Sequence, residues 1–268
     1  MNRLDGPRLE GKVAFITGAG AGIARATARR FAEEGAAVVI AELDKETGRS
    51  TEELVRSAGG EALFVETDVT DEASVASAVE ATMARFGRLN ILHNCAGGSL
   101  VEDAPVTEVD WSVWDRTIDL DLKGTMLCCR HGIPKLVESG GGAVINMSST
   151  AALQPWRAHV YSAAKGAIIS LTRSLARQYG RQGVRVNAIC PGYVLTERVL
   201  ARMAETGEGG VAPDGAPRLA PQDQVRRRYP FAVGGPEDIA AIAAFLASDD
   251  SRMITGTAIA ADGGMANH

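Results

Sequence analysis

Apolar and polar positions along the chain follow two alternating rhythms. Short runs dense in β-branched and aliphatic residues recur as KVAFIT (12–17), AAVVIA (36–41), EALFVET (61–67), LNILHN (89–94), GAVINMS (142–148), VRVNAIC (184–190) and GTAIAA (256–261). They have the length of strands, and their largely continuous apolarity is the pattern of strands covered on both faces. Between them lie longer amphipathic stretches, such as 71–86 and 157–179, with the periodicity of helices. Regular βα alternation predicts an α/β fold with a parallel sheet between two helical layers. No internal repeat interrupts it, so the chain reads as a single domain. One segment stands apart: AETGEGGVAPDGAPRLAPQ (204–222) is rich in Gly, Ala and Pro and has no period. A loop of that length in a compact domain is expected to serve function, as a lid does, or to be disordered.

Composition narrows the classes. The chain has 268 residues, 46% of them hydrophobic, enough for a buried sheet. A net charge of −5 with scattered arginines argues against a nucleic-acid surface. The start, MNRLDGPRLEGK, lacks the apolar core of a signal peptide, and no apolar run reaches membrane-spanning length. A cytoplasmic protein with no membrane or nucleic-acid partner is expected. Cys95, Cys128, Cys129 and Cys190 form no CxxC pair, so no metal site or disulfide framework is indicated. Cys128 and Cys129 are expected to be core residues within a helix.

Candidate chemistry begins at the first turn. VAFITGAGAGIARATARRFAEEGAAVVIAE reads as strand, Gly-rich turn, helix and second strand ending in an acid. Gly18, Gly20 and Gly22, followed by Ile23, let a diphosphate approach the backbone, and the helix points its first N–H groups at the anion. Glu42 closes the second strand, where a carboxylate accepts both ribose hydroxyls and repels a 2′-phosphate. No Lys or Arg stands at position 21 or directly after Glu42. NAD is therefore expected rather than NADP. Further on, AHVYSAAKGAI (158–168) puts Tyr161 one helical turn before Lys165, on the same face.

Together these motifs resemble the short-chain dehydrogenase/reductase family, of the type with a TGxxxGxG turn, from about residue 9 to residue 264. TDV (67–69) resembles the family's adenine-contacting turn and implies roles for Asp68 and Val69. NCAG (94–97) stands for the family's NNAG beside the cofactor and implies roles for Asn94, Ala96 and Gly97. PGYVLT (191–196) resembles PGxxxT, whose positions Val194 and Thr196 hold the nicotinamide end. GGPEDIAAIAAFLASDDSRMITGTAIAADGG matches the family's C-terminal helix and last strand. The resemblance implies a Rossmann-like, doubly wound sheet of seven parallel strands, with a core over about 9–192, a substrate lid over 193–235 and a closing helix and strand over 236–264. It also implies a homotetramer or homodimer built on helix 157–179.

The implied reaction moves a hydride between nicotinamide and a secondary alcohol or ketone, while Tyr161 exchanges the oxygen's proton. A free phenol has a pKa of ~10, so acting as a base near pH 7 needs roughly 4 kcal/mol of preference for phenolate. Burial alone works against this. An ammonium ~4 Å away at an effective dielectric of 20 supplies about 4 kcal/mol before desolvation is subtracted. Lys165 is the matching ammonium, and it also bonds the cofactor ribose. A third group orients the substrate oxygen. Strand register makes it Ser149, whereas counting back from Tyr161 by the family's usual spacing gives Ser148. Register is preferred, because loops absorb deletions more easily than strands. At the fourth family position Asp121 replaces the usual Asn, which sits at a helix irregularity and holds a water. A carboxylate there either pairs with Lys165, weakening its effect on Tyr161, or holds backbone only.

Around this set several residues carry two readings. Trp156 is a pocket wall or ordinary packing, and His159 touches substrate or is locally bonded. Trp111 and Trp114 pack at a subunit contact or in the core. Arg157 lies with Trp156 and His159 between Ser149 and Tyr161, on a loop expected to border the pocket. Arg226, Arg227 and Arg228 meet an anionic substrate or form a solvated face. Rival functions are an NADPH-dependent ketone or oxoacyl reductase, which Glu42 disfavours, and a cofactor-binding protein weakened by Asp121. A serine hydrolase is disfavoured because no G-x-S-x-G elbow exists.

Overall fold

A computed structural model describes residues 6–205 and 229–267. Its strands are β1 (Val13–Thr17), β2 (Ala37–Glu42), β3 (Ala62–Glu66), β4 (Ile91–Asn94), β5 (Gly142–Met147), β6 (Val184–Pro191) and β7 (Ala258–Ala261). They form one seven-stranded sheet in the order β3-β2-β1-β4-β5-β6-β7, with every pairing parallel. Each expected run contains its strand to within a residue. The strand generally starts later than the run, because leading residues such as Leu89 and Asn90 bring the chain onto the sheet.

Alternate strand residues feed two cores, as the period of two requires. On one face Ala14, Ile16, Val38 and Ile40 meet Ala28 and Phe31 of α1 (Gly22–Glu33) and Ala243, Ala244 and Leu246 of α8 (Pro236–Ala247). On the other, Val13, Phe15 and Val39 meet Val75 and Val79 of α3 (Glu72–Phe86) and Cys128, Ile133 and Leu136 of α5 (Gly124–Glu138). Cys128 and its neighbour Cys129 are buried, as expected of core residues, and burial pushes their thiols up. The helix α2 (Lys45–Ser57) starts at Asp44, whose side chain accepts from Thr47 N at 2.8 Å. Likewise α3 starts at Asp71 and stops at Gly87, whose φ of 70° suits a residue without Cβ.

Two helical runs position the site. One is α4 (Trp111–Thr117), which continues through a π-helical stretch at Ile118–Lys123 into α5. The other is α6 (His159–Tyr179), the expected 157–179 helix starting two residues later. Beyond β6, α7 (Glu197–Glu205) opens the segment read as a lid. The irregular 204–222 stretch, apart from its first two residues, and Arg226–Arg228 lie outside the described residues.

Candidate active site

The strand order reverses between β1 and β4, and the C-terminal ends of these strands part there to leave the crevice in which open α/β sheets bind ligands. Thr17, at the end of β1, ties the two together: its hydroxyl accepts from Cys95 N at 3.0 Å and Ala96 N at 3.1 Å. Gly18 has a φ of 67°, and a Cβ there would lie 2.9 Å from Ala96 Cα. Gly22 has a φ of 53° and faces the Thr196 methyl. The N-cap of α1 is Ala21, which offers no side chain to the helix's first N–H groups. Glu42 reaches under this turn. One carboxylate oxygen accepts from Gly20 N at 2.9 Å, the other from Leu43 N at 2.9 Å and Asp44 N at 3.1 Å. Lys45, the next cation, is paired with Glu66 at 3.0 Å. Close backbone, open helix N-terminus and a fixed carboxylate at the end of β2 fit a dinucleotide.

The other expected cofactor residues lie at or after the C-terminal ends of β1, β3, β4 and β6. Asp68 anchors Thr70 through both its N–H and hydroxyl, and buried Val69 packs against Gly124. Ile23 packs on the first core. Val194 bridges to Gly234, while Thr196 caps α7 by accepting from Val199 N at 3.3 Å. Asn94 is turned inward: its amide donates to Asn146 Oδ1 at 2.8 Å, and Asn146 donates to Thr172 at 2.9 Å. This buried chain locks β4 to β5 and α6.

Deeper in the crevice the four expected polar residues converge. Lys165, 4% exposed, places Nζ 2.7 Å from Asp121 Oδ1 and donates to Met147 O at 2.9 Å. The same nitrogen stands 5.6 Å from the centre of the Tyr161 ring. Asp121 is wholly buried in the π-helical stretch, and its Oδ1 also accepts from Gly98 N at 3.0 Å. Its Oδ2 has no hydrogen-bond partner among the described residues. Gly97 fits against this pair because a Cβ would meet Asp121 Oδ1 at 2.3 Å. The two serines part company. Ser148 is buried and donates to Lys165 O at 2.8 Å, so it holds the helix backbone. Ser149 caps the turn at Thr150–Ala152 and lies beside the Tyr161 phenol.

Charges around the phenol oppose one another. Burial pushes Tyr161 above its ordinary value, Lys165 pulls it down, and Asp121 pushes it up again; Ser149 and Arg198 pull it down, with the net shift upward. Burial works to lower Lys165, but Asp121 and then Tyr161 outweigh it and hold the ammonium above its usual range. Of the two arrangements expected for Asp121, the structure therefore has the pairing with Lys165.

Sequence reasoning missed three contributors. Asp103 accepts from Tyr161 N at 2.8 Å and Val160 N at 3.3 Å, satisfying the start of α6, whose N-cap Ala158 has no polar side chain. Arg198 and Arg202 of α7 reach back to Ser99 O, each at 2.7 Å. These partners are far apart in sequence, so no local signal marks them. Some of the ambiguous residues resolve. His159 is exposed and accepts from Val106 N at 3.0 Å, the locally bonded reading. Trp156 packs against Tyr193 with ring centres 6.1 Å apart, and Arg157 is exposed. Trp111 and Trp114 are exposed and stacked edge to face, which removes the core alternative. Among the described residues no cluster of three or more metal-ligating side chains occurs, and no helix is long and apolar enough to cross a membrane.

Residues 18–266 match the family model described as enoyl-(acyl carrier protein) reductase. The cis-4-hydroxycyclohexanecarboxylate dehydrogenase of Sinomonas cyclohexanicum is 40% identical, the match covering 94% of this chain and 96% of that one. A short-chain type dehydrogenase/reductase from Mycobacterium ulcerans superposes with a TM-score of 0.86 at 31% identity, covering 97% of this chain and 91% of the other. A 7α-hydroxysteroid dehydrogenase, solved with NADH and 7-oxo glycochenodeoxycholic acid, gives a TM-score of 0.86 at 28% identity, covering 98% of both chains. With the crevice, the Gly-rich turn and the Tyr–Lys pair in place, these matches make the chain a member of the short-chain dehydrogenase/reductase family, oxidoreductases that bind a nicotinamide cofactor.

Proposed function

We propose that the protein is an NAD-dependent oxidoreductase that interconverts a secondary alcohol and a ketone, with Tyr161 as general acid and base. The observation that carries this reading is the convergence of Tyr161, Lys165 and Ser149 at the floor of a crevice whose rim fits a dinucleotide. Gly18, Gly20, Gly22 and Ile23 would receive the diphosphate, Glu42 the adenosine ribose, and Asp68 and Val69 the adenine. Asn94, Ala96, Gly97, Val194 and Thr196 border the nicotinamide end, and Lys165 the second ribose. Glu42 favours NAD: its carboxylate is fixed by three N–H donors, and a 2′-phosphate would meet that charge with Lys45 already paired.

In the oxidation, the substrate hydroxyl bonds Ser149 and Tyr161, and the phenolate takes the hydroxyl proton as the carbonyl forms. When bound, the nicotinamide supplies the acceptor for the hydride leaving the carbinol carbon. Lys165 stabilises the phenolate before the proton moves and the charge pattern after it. In reduction the phenol returns the proton. Asp121 tempers this by neutralising part of the ammonium field. The Asp121–Lys165 pair also favours a second reading, a cofactor-binding protein of weakened catalysis. An NADPH-dependent reductase is the alternative that Glu42 opposes. A small-molecule alcohol or ketone is the partner, and the working form is a cytoplasmic homotetramer or homodimer, supported by the exposed Trp111 and Trp114 beside the helices of the site.

Initial rates over a panel of polyols, cyclic diols, aromatic carbinols and hydroxysteroids test the reading, with NAD and NADP side by side and Tyr161→Phe as the blank. Turnover with NAD that vanishes in the blank is expected. Preference for NADP overturns the role of Glu42. NADH binding without turnover, rescued by Asp121→Asn, establishes the weakened reading instead.

A further inference from the structure

Two aromatic rings outside both cores meet where the loops after β5 and β6 come together. Trp156 lies on the loop from Ser149 to α6, and Tyr193 on the loop that leaves β6. Their ring centres are 6.1 Å apart and their planes are inclined by 56°. Both residues are half-buried, so each keeps accessible surface. Neither belongs to the hydrophobic clusters that cover the sheet. Among the described residues neither the Trp156 indole N–H nor the Tyr193 hydroxyl has a hydrogen-bond partner, so a group packing onto these rings breaks no bond.

The sheet explains why the two loops meet. β5 and β6 are neighbours, with Met147 level with Ile189 and Ser148 N donating to Ile189 O at 2.8 Å. The loops therefore start side by side. The first begins with Ser149 and ends at Tyr161; the second leads to Arg198, whose charge acts on the same phenol. The aromatic pair thus joins two loops that both flank Tyr161. Its seat is rigid on the Tyr193 side. Tyr193 N donates to the hydroxyl of Tyr229, which is itself buried, and a Cβ on Gly192 would lie 2.9 Å from that hydroxyl. Val194 then bridges to Gly234. An aromatic face held by fixed backbone loses little entropy when a ligand packs on it.

We infer that Trp156 and Tyr193 form the apolar wall of the substrate pocket, and that the substrate is a ring carbinol, aryl or alicyclic, whose ring packs on them while its oxygen lies at Ser149 and Tyr161. The carbinol rests on the oxidoreductase reading; the wall itself does not depend on it. An open-chain polyol is selected against, because its hydroxyls would lose water against faces that offer no replacement. A ring presents carbon–hydrogen edges to those faces instead. The two residues choose the substrate and orient it; they take no part in proton transfer.

Binding is read first, apart from the reaction. Cumyl alcohol and 1-methylcyclohexanol carry a hydroxyl but no carbinol hydrogen, so they bind without being oxidised. Their affinities are compared with that of tert-butanol by calorimetry on the full chain with NAD present. This is done in the unaltered protein and in Trp156→Ala, Trp156→Phe, Tyr193→Ala and Tyr193→Phe. At least one ring alcohol should bind about 30-fold more tightly than tert-butanol. Each Ala variant should lose most of that preference. Each Phe variant should keep part of it, which separates loss of the wall from loss of the fold. Rates are read second, with 1-phenylethanol and cyclohexanol against butan-2-ol. The Ala variants should raise KM for the ring alcohols about tenfold more than for butan-2-ol. If no ring alcohol outbinds tert-butanol, or if the preference survives both Ala variants, the wall is wrong. Turnover of secondary alcohols without a preference for rings overturns the wall and leaves the oxidoreductase reading in place. If ring alcohols bind selectively but no secondary alcohol turns over, the wall stands and the oxidoreductase reading fails.

Discussion

At position 121 a carboxylate lies 2.7 Å from Lys165 Nζ, the ammonium that the proposed reaction needs beside the Tyr161 phenol. A negative charge there disfavours phenolate twice, by acting on the phenol and by cancelling part of Lys165. Replacing it with the neutral isostere removes both effects, so phenolate forms at lower pH. Asp121→Asn should move the rising limb of the pH profile for alcohol oxidation to lower pH and raise kcat/KM at pH 7 about three- to tenfold. A limb that moves upward, or a rate that collapses, would mean that Asp121 is a required proton acceptor instead. Legibility at this scale followed distance along the chain. Tyr161 and Lys165 stood out because one helical turn joins them, and Ser149 was separable from Ser148 by strand register. The reach of Asp121 to Lys165 was one of two arrangements the sequence allowed. Packing through the π-helical stretch decided between them.

The element proposed to carry the chemistry, α6, begins without a capping side chain of its own. Asp103, from the loop after β4, supplies the missing acceptor to the N–H groups of Val160 and Tyr161. The loop is also stitched down by Val106 N donating to His159 Nδ1. Removing such a cap typically costs about 1 kcal/mol. Asp103→Ala should lower thermal stability by that amount and reduce kcat several-fold more than it raises KM, because the freed first turn carries Tyr161. Unchanged kcat with lowered stability would make Asp103 a cap with no bearing on the phenol. The body of α6 was visible in its period and its start was placed within two residues, but Asp103 was not, since a cap 58 residues away in sequence leaves no local pattern. The irregular passage from α4 to α5 was legible only through the resemblance, which implied a helix irregularity at Asp121: a π-helical stretch shifts the helical face without breaking the helix, and periodicity cannot register it.

Across the whole molecule the architecture was legible because both sides of the sheet are covered. Every strand then reads as an apolar run, and these runs became the seven strands of one parallel sheet. The same two-sided burial traps His93 on β4, with Nδ1 3.2 Å from Ile145 O and its ring against Phe31. Burial holds the imidazole down to about 4, well below its ordinary value. A depressed folded value stabilises the protein fully above the unfolded value near 6.5, and that stability is lost as pH falls from there through about 4. Urea unfolding at pH 7, 5.5 and 4 should show a loss of about 2–3 kcal/mol over this window. In His93→Phe, which cannot titrate, the dependence should be weaker whatever its absolute stability. An equal slope in both proteins would place the acid sensitivity elsewhere.

In the proposed reaction Tyr161 moves the proton while hydrogen passes directly from a carbinol carbon to the nicotinamide. The most direct test uses the best alcohol from the substrate panel, deuterated at its carbinol carbon, and follows the mass and amount of reduced NAD. The unaltered protein should place one deuterium on the cofactor, and Tyr161→Phe should still bind NAD but form reduced cofactor about a thousandfold more slowly. Reduced cofactor without deuterium, or a Tyr161→Phe variant that keeps its rate, would contradict it.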